Sequence, residues 1–189
     1  MKARESGMPS EETWESFFDP VRTLGLLGLG RHTRHVVDLG CGYGTFTIPA
    51  AKCASGIVHA FDIEPTMLDE TRRKAESEKL TNVRLYLRDF VTEGTGLPDL
   101  SVDYVMLFNI LHAEEPLRLL GEAYRILNCG GKLGVMHWNY DPETPRGPSM
   151  HIRPRPDDCR RWAEEAGFTI TAPHIDLPPY HYGIVAQKE

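Results

Sequence analysis

The sequence predicts an α/β fold in which a mostly parallel sheet is covered by helices on both faces. Short apolar segments rich in Val, Ile, Leu and Phe recur along the chain, and segments with apolar residues at helical spacing lie between them. Strands that are apolar on both sides are typical of parallel sheets, and right-handed crossovers leave few ways to connect them. A chain of 189 residues is long enough for one core, so we expect a single domain over 1–189.

Five segments have the length and composition of strands, and each ends near Gly, Asp or Asn. Three helical segments alternate with them, which is the order that a parallel sheet requires. The predicted strands are His35–Leu39, Ile57–Phe61, Val83–Leu87, Val102–Phe108 and Lys132–Trp138, and the predicted helices are Thr45–Ala54, Thr66–Lys79 and Pro116–Leu127.

The sequence changes character after the last of these strands. Residues 139–156 contain five prolines, which fit neither a helix interior nor a central strand, so we expect an extended loop that contacts the substrate. Residues 157–189 then predict a helix and a hairpin, with Gly167 ending the helix. The helix is expected over Asp157–Ala166, and the strands over Phe168–Ile175 and Tyr182–Ala186.

Composition narrows the possible partners. Lys and Arg number 21 against 27 Asp and Glu, a net charge of −6, so nucleic acid is not an expected partner. The four cysteines are not closely paired, which predicts reduced thiols and no metal site. No apolar stretch approaches the roughly 20 residues of a membrane span. We therefore expect a cytoplasmic protein, and no oligomeric state is predicted.

A glycine-rich loop follows the first predicted strand, in the order Asp38-Leu39-Gly40-Cys41-Gly42-Tyr43-Gly44. Glycines at alternate positions before a helix let a ligand lie against the backbone, although a tight turn alone would also explain them. Dinucleotide enzymes use G-x-G-x-x-G, and the third glycine here is one residue out of place. Because Asp38 precedes the loop, a positively charged ligand suits the site better than an anionic dinucleotide.

A second acidic residue, Asp62, comes twenty-four residues after Asp38 at the end of the next predicted strand. A carboxylate at that place can accept both hydroxyls of a ribose, although it could also serve as a charge at the start of the following helix. A nucleoside that carries a sulfonium and an amino-acid tail has both the positive charge that suits Asp38 and the ribose that suits Asp62. A nicotinamide-dependent oxidoreductase is the alternative enzyme, and the glycine spacing disfavours it.

Several blocks of the chain resemble one known family in order and spacing. Val36–Gly44 resembles motif I of the class I S-adenosylmethionine-dependent methyltransferases, and Val102–Asn109 resembles motif IV. Glu122–Leu133 resembles the helix and glycine turn before strand five, where Pro commonly precedes Gly-Gly and this chain has Cys129. The resemblance covers residues 34–138 and implies a Rossmann-like, doubly wound, seven-stranded sheet with an antiparallel terminal strand. In outline the chain is similar to the compact type 11 branch.

The resemblance also implies a cofactor, S-adenosylmethionine, with S-adenosylhomocysteine as its product. Asp89 resembles the acidic residue that meets the adenine amino group, with Phe90 beside the ring, although Asp89 could simply begin a turn. Tyr43 is either a surface aromatic or a wall beside the methionine moiety. The residues expected to contact the cofactor are Asp38, Gly40, Gly42, Tyr43, Gly44, Asp62, Ile63, Met67, Asp89, Phe90 and Asn109.

Methyl transfer needs in-line attack on the sulfonium methyl, and alignment alone can contribute several kcal/mol. If the nucleophile is a hydroxyl, a base is useful, and histidine titrates in the right range. The candidates are His112, His137 and Tyr140, which follow or end strands four and five. His112 could instead cap or brace the next helix, and His137 could occupy a satisfied polar niche.

The segments outside the core are small, so we expect a small-molecule methyl acceptor. Residues 1–30 are predicted to form either a lid over the cofactor or a helix packed on the edge of the sheet. An arginine cluster around the proline-rich loop suits an anionic substrate group, although a solvated surface explains it too. A regulatory subunit that binds the cofactor without catalysis is the non-enzyme alternative. The cluster comprises Arg146, Arg153, Arg155, Arg160 and Arg161.

Overall fold

The computed structural model describes residues 9–189, so residues 1–8 of the predicted N-terminal segment lie outside the described residues. One seven-stranded sheet forms the centre of the molecule. Its strands are β1 (His35–Leu39), β2 (Ile57–Asp62), β3 (Val83–Leu87), β4 (Val102–Phe108), β5 (Leu127–Trp138), β6 (Thr169–Leu177) and β7 (His181–Gln187).

The strand order is β3-β2-β1-β4-β5-β7-β6. Strands β1 to β5 pair in parallel, and β7 is antiparallel to both of its neighbours, β5 and β6. The order reverses between β1 and β4, so the loops that leave these two strands diverge and open a crevice at their carboxyl ends. The predicted Rossmann-like fold with an antiparallel terminal strand is confirmed.

Seven helices lie in the described part of the chain. Four of them, α2, α4, α6 and α7, have Pro in the first turn, where its fixed φ suits a helix start and its missing N–H costs nothing. The helices are α1 (Glu11–Glu15), α2 (Pro20–Leu26), α3 (Thr47–Cys53), α4 (Pro65–Ser77), α5 (Phe90–Glu93), α6 (Pro116–Ile126) and α7 (Pro156–Glu165).

The apolar core is divided by the sheet. On one face, residues of α6 and α7 pack against the inner strands, including Leu120 and Ala163, both without exposed surface. On the other face, α2 and α3 pack through residues such as Leu24 and Ala50. Helices therefore cover both faces, which is why the inner strands are apolar on both sides. No helix in residues 9–189 is both long enough and apolar enough to cross a bilayer.

The predicted elements differ from the observed ones mainly at their ends. Strand β5 begins at Leu127, five residues before the predicted start at Lys132, because Leu127 already pairs with Val102 across an irregularity in the ladder. Helix α5 was not predicted, since its four residues are too short to show a helical period. Helix α3 starts two residues later than predicted, so Thr45 belongs to the glycine loop.

Gly134 and Tyr104 form a tight contact inside the sheet. Tyr104 in β4 is 1% exposed, and its hydroxyl donates to the carbonyl of Leu27 at 2.8 Å. A Cβ at Gly134 in β5 would overlap that hydroxyl. The aromatic ring thus ties the segment after α2 to the sheet, and only glycine leaves room for it.

We expect Gly134→Ala to lower the free energy of unfolding by about 2–3 kcal/mol through overpacking. Tyr104→Phe should cost about 1–2 kcal/mol, because the Leu27 carbonyl loses its buried donor. In the Tyr104→Phe background, Gly134→Ala should cost less, since the overlapping hydroxyl is gone. Urea denaturation of the four proteins measures this coupling, and strictly additive effects would contradict the contact.

Candidate active site

A cavity of about 410 Å³ opens at the carboxyl ends of β1, β2 and β4. It is the crevice expected from the reversal of strand order. Nine of the predicted site residues line it, and they come from four separate segments of the chain. These residues are Asp38, Gly40, Gly42, Asp62, Ile63, Met67, Phe90, Asn109 and His112.

The glycine loop follows a backbone path that suits glycine. Gly40, Gly42 and Gly44 have φ values of +82°, +52° and +74°. Gly44 faces away from the cavity, and a Cβ there would lie 2.9 Å from the side chain of Thr71 on α4. The first two glycines therefore expose backbone to the cavity, while the third allows the loop to pack against α4.

Asp38 is a buried carboxylate at the end of β1. It accepts a hydrogen bond from the Thr47 hydroxyl at 2.6 Å and is 3% exposed. Burial, with a smaller contribution from the charge of Asp62, raises the pKa of Asp38 to about 7, against the lowering effect of Thr47. A carboxylate in such a place favours a cationic partner, because a nearby positive charge offsets the cost of desolvation.

Asp62 ends β2 and links it to the glycine loop. Its two oxygens accept from the backbone N–H of Gly42 at 2.9 Å and of Glu64 at 3.0 Å. Burial raises the pKa of Asp62, and the two backbone bonds partly oppose that effect. Within residues 9–189, neither Asp38 nor Asp62 forms an ion pair, so this end of the cavity is acidic.

Two further polar atoms that line the cavity are buried without a hydrogen-bond partner among the described residues. They are the hydroxyl oxygen of Thr45 and the amide oxygen of Asn109. Asn109 has a φ of +55°, and its backbone N–H donates to Met136 at 2.7 Å. Buried polar atoms are nearly always satisfied, so both oxygens keep the capacity to accept a hydrogen bond from a ligand.

Thr45 was not among the predicted residues. The sequence places it directly after Gly44, where a hydroxyl commonly caps the helix that follows. In the structure Phe46 occupies the cap position of α3, and the Thr45 hydroxyl is left over. The signal that could have found it is its place between the last glycine and the helix.

Five predicted residues do not line the cavity. Gly44 packs on α4, and the Tyr43 hydroxyl donates to the Pro9 carbonyl at 2.9 Å. Asp89 caps α5 by accepting from the backbone N–H and the hydroxyl of Thr92. His137 lies behind His112 with no exposed surface, and Tyr140 is 39% exposed with the Arg155 guanidinium 4.0 Å from its ring centre.

The N-terminal helix α1 covers one side of the cavity. Trp14 on α1 lines the cavity and meets Trp138 with ring centres 6.4 Å apart. Lys74 on α4 pairs with Glu11 at 2.7 Å and with Glu15 at 2.6 Å. These ion pairs, each between partly exposed groups, and the aromatic contact hold α1 in a position that fits the predicted lid.

The proline-rich loop covers another side through Arg146, Gly147 and Pro148. Arg153, 8% exposed, anchors this loop from within by donating to the carbonyls of Asn139 and Pro148, among others. The arginines of the predicted cluster therefore have different roles in the structure, because Arg153 holds the loop together and Arg146 lines the cavity. Arg155, Arg160 and Arg161 contact Tyr140, Asp157 and Asp158 respectively.

No group of three or more His, Cys, Asp or Glu side chains in residues 9–189 is arranged to hold a metal ion. The four cysteines are free thiols, and Cys41 and Cys159 are buried. Burial raises the pKa of the Cys159 thiol to about 12, so this thiol remains protonated at neutral pH.

Residues 36–131, just over half of the chain, match a family described as a methyltransferase domain. The chain belongs to that family. Together with the sheet order, the match confirms the predicted class I, type 11-like S-adenosylmethionine-dependent methyltransferase, and the family's cofactor is S-adenosylmethionine. The matched region contains the glycine loop, both buried carboxylates and Asn109.

Two curated proteins illustrate the similarity. Aklanonic acid methyltransferase of Streptomyces sp. (strain C5) is 35% identical over 101 residues, which are 52% of this chain and 45% of that protein. Ribosomal protein L11 methyltransferase of Geobacillus kaustophilus is 32% identical over 116 residues, which are 60% of this chain and 36% of that protein. The chain thus spans less than half the length of these two relatives.

A solved structure supports the fold over nearly the whole methyltransferase chain. It is described as a SAM-dependent methyltransferase from Aquifex aeolicus, with a TM-score of 0.83 and 24% identity. The superposition covers 95% of this chain and 94% of that chain. At this identity the likeness establishes the fold alone.

The role of Arg153 can be tested by Arg153→Lys. A lysine cannot reproduce the planar fork that holds several carbonyls, so we expect the free energy of unfolding to fall by about 2–3 kcal/mol. Trypsin should also cleave faster after Arg146, since the loop loosens. Arg161→Lys is the matched control, because Arg161 is exposed, pairs with Asp158 and lies over the Trp162 ring, and holds no loop carbonyl among the hydrogen bonds found in residues 9–189. Equal behaviour of the two variants would contradict the anchoring role.

Proposed function

We propose that this chain transfers a methyl group from S-adenosylmethionine to a small-molecule acceptor in the cavity described above. The observation that carries the proposal is the pair of buried carboxylates, Asp38 and Asp62, at the carboxyl ends of adjacent strands beside an open glycine loop. A nucleoside that also bears a positive charge matches this arrangement, whereas an anionic dinucleotide would face two carboxylates. The nicotinamide alternative is disfavoured on the same ground.

The residues present fit the cofactor. Asp62 would accept the ribose hydroxyls, and the exposed backbone of Gly40 and Gly42 would lie against the amino-acid tail. The unpartnered oxygens of Thr45 and Asn109 offer acceptors for the donors of the ligand. Phe90, Ile63 and Met67 provide apolar surface for the adenine ring. Tyr43, Gly44 and Asp89 support the loop and α5 rather than the ligand directly.

When bound, S-adenosylmethionine supplies an electrophilic methyl group on a sulfonium cation. The chain must then align the acceptor and exclude water. Trp14, Phe46, Phe108 and Trp138 line the cavity with aromatic surface that can do both. His112 is the imidazole that lines the cavity, so we assign acceptor contact to it. His137 is buried behind His112, and Tyr140 lies outside the cavity.

A small-molecule acceptor is supported by the size of the cavity and by the two segments that cover it. Helix α1 and the proline-rich loop both contribute lining residues, and the volume of about 410 Å³ is in the range of small-ligand sites. The two relatives differ on this point, since one is named for aklanonic acid and the other for a ribosomal protein. A protein acceptor and a non-catalytic regulatory subunit remain the alternatives that the experiments below separate.

Calorimetry with S-adenosylmethionine, S-adenosylhomocysteine and NAD tests the cofactor assignment. Binding of the first two and not of NAD is expected. Asp62→Ala should weaken S-adenosylmethionine binding by about 1–3 kcal/mol, because a charged hydrogen-bond acceptor is lost. Asp99→Ala is the matched control, since Asp99 is an exposed carboxylate paired with Arg125 and far from the lining residues. Unchanged affinity in Asp62→Ala would contradict the ribose assignment.

The raised pKa of Asp38 predicts a pH dependence of cofactor binding. Below about pH 7 the carboxyl of Asp38 is largely protonated in the free protein, and a cationic ligand prefers the charged form. The affinity for S-adenosylmethionine should therefore fall as the pH drops below 7, by up to about tenfold per pH unit, and level off above it. Calorimetry in buffers of different ionisation enthalpy should show proton release near pH 6.5.

Asp38→Asn provides the control for this prediction. The amide keeps the shape and the hydrogen bond with Thr47 but has no charge to titrate. This variant should bind more weakly and lose most of the pH dependence. If wild type and variant show the same pH profile, Asp38 does not face the positive charge.

A screen with isotopically labelled methyl donor separates the three acceptor hypotheses. Label should appear in small organic acceptors, and ribosomal protein should remain unlabelled. Binding of S-adenosylmethionine without turnover of any acceptor would favour the regulatory subunit. Labelled ribosomal protein would overturn the small-molecule proposal.

A further inference from the structure

The backbone of Gly42 is held on both sides where the glycine loop borders the cavity. Its N–H donates to the carboxylate of Asp62 at 2.9 Å, and its carbonyl accepts from the hydroxyl of Thr71 at 3.0 Å. The direction of the second bond is fixed by chemistry, because a carbonyl oxygen has no proton to donate. Asp62 ends β2 and Thr71 belongs to α4, so two separate elements hold this residue of the loop.

Thr71 is itself fixed in the core. It has no exposed surface and lies on the buried face of α4, between Leu68 and Ala75. A threonine hydroxyl within a helix can bond to a carbonyl of the preceding turn, but here it donates to the loop instead. Gly44 packs directly on Thr71, since a Cβ at Gly44 would lie 2.9 Å from both Oγ1 and Cγ2. Thr71 therefore contacts the loop at two of its glycines, and it is not among the residues that line the cavity.

The Gly42 carbonyl has no equally good donor in place of Thr71. Among the hydrogen bonds found in residues 9–189, its other contact is with the thiol of Cys41, whose Sγ lies 3.8 Å away. A thiol is a weak donor. Without the Thr71 hydroxyl the carbonyl would turn toward water in the cavity, because an unsatisfied carbonyl is unfavourable. Glycine permits such a turn, since it has no Cβ to restrict the backbone.

The position of the Gly42 N–H affects the carboxylate of Asp62. One carboxylate oxygen accepts from Gly42, and the other accepts from the backbone N–H of Glu64 at 3.0 Å. Each oxygen keeps a further lone pair, and Asp62 lines the cavity. With both donors in place the carboxylate cannot rotate. A ribose that offers two adjacent hydroxyls is bound more tightly by a pair of acceptors that is already fixed.

We propose that Thr71 is a positioning residue for the cofactor, which holds the Gly42 carbonyl on α4 and thereby keeps the Gly42 N–H on the carboxylate of Asp62. The proposal rests on the proposed function, because it takes Asp62 as the acceptor of the ribose hydroxyls. Thr71 acts through Gly42 and does not touch the ligand. The effect of its hydroxyl on binding must therefore pass through Asp62.

Thr71→Val keeps the shape of the side chain and removes the hydroxyl, whereas Thr71→Ser keeps the hydroxyl. In calorimetry with S-adenosylhomocysteine, folded Thr71→Val should bind roughly tenfold more weakly than wild type, and Thr71→Ser within about threefold of it. Thr171→Val is the matched control, because the Thr171 hydroxyl donates to the Val185 carbonyl at 3.2 Å in the β6–β7 hairpin, away from the lining residues. A folded Thr71→Val that binds as tightly as wild type would overturn the proposal.

A double-mutant cycle tests the route through Asp62. In the Asp62→Ala background, adding Thr71→Val should change the affinity by less than about twofold, since the carboxylate through which Thr71 acts is gone. If the second substitution instead weakens binding as much as it does in wild type, Thr71 acts by another route and the proposal is wrong.

Amide hydrogen exchange of the free protein reports on the loop without any ligand. Wild type should protect the Gly42 N–H, and Thr71→Val should reduce this protection by at least about tenfold more than that of Gly40, whose N–H donates to the Phe61 carbonyl. Equal losses at both glycines would indicate general destabilisation and contradict the positioning role. An unprotected Gly42 N–H in wild type would contradict it too, even if Thr71→Val fails to fold. Failure of wild type to bind S-adenosylhomocysteine would instead count against the proposed function.

Discussion

The hydrogen bond from the backbone of Gly42 to the carboxylate of Asp62 joins the ends of two parallel strands, and the cavity depends on it. The register places Leu39 of β1 beside Phe61 of β2, so the residues that follow both strands meet. The backbone N–H groups of Gly40 and Cys41 donate to the carbonyl of Phe61. The backbone N–H of Gly42 donates to the carboxylate of Asp62. This crossing shapes the loop and brings both carboxylates into one space. Burial of the two carboxylates is unfavourable, as their raised pKa values indicate, and a cation bound beside them would offset this desolvation.

The sequence predicts this end of the site well because its signals are local. Each signal is contained in a few neighbouring residues: the alternating glycines, the acidic residue at the end of a strand, and the helical spacing of apolar residues. The ends of the strands and the residues of the loop can therefore be predicted from the sequence pattern. The prediction weakens where long-range packing decides the outcome. Asp89 has the same sequence position whether it caps α5 or meets a ligand, and only the structure shows the hydrogen bonds to Thr92 by which it caps α5. The unpartnered hydroxyl of Thr45 likewise depends on how α3 begins.

The other end of the cavity could not be assembled from the sequence. His112 and His137 are separated by the whole of α6 and by most of β5. The sequence predicts both as candidates from their places after strands four and five, but it does not predict that the two imidazoles touch. Their contact results from the parallel pairing of β4 with β5. The arginines show the same limit. They form one cluster in the sequence, but Arg153 turns inward to hold carbonyls of its own loop while Arg146 faces the cavity. Charge alone does not separate an anchor from a ligand contact.

The two ends of the cavity also differ in which part of the chain supplies them. Asp38, Asp62 and Asn109 lie within residues 36–131, the region shared with the methyltransferase family. Trp14, His137, Trp138 and the proline-rich loop, which carry the aromatic cover and the second imidazole, lie outside that region. The family match therefore covers the residues that we propose for the cofactor and leaves out the segments that we propose for the acceptor. Relatives named for an organic acid and for a ribosomal protein are both similar to part of this chain, so a similarity of this kind does not identify the acceptor. The acceptor must therefore be inferred from the segments that cover the cavity, because a shared fold does not fix the substrate.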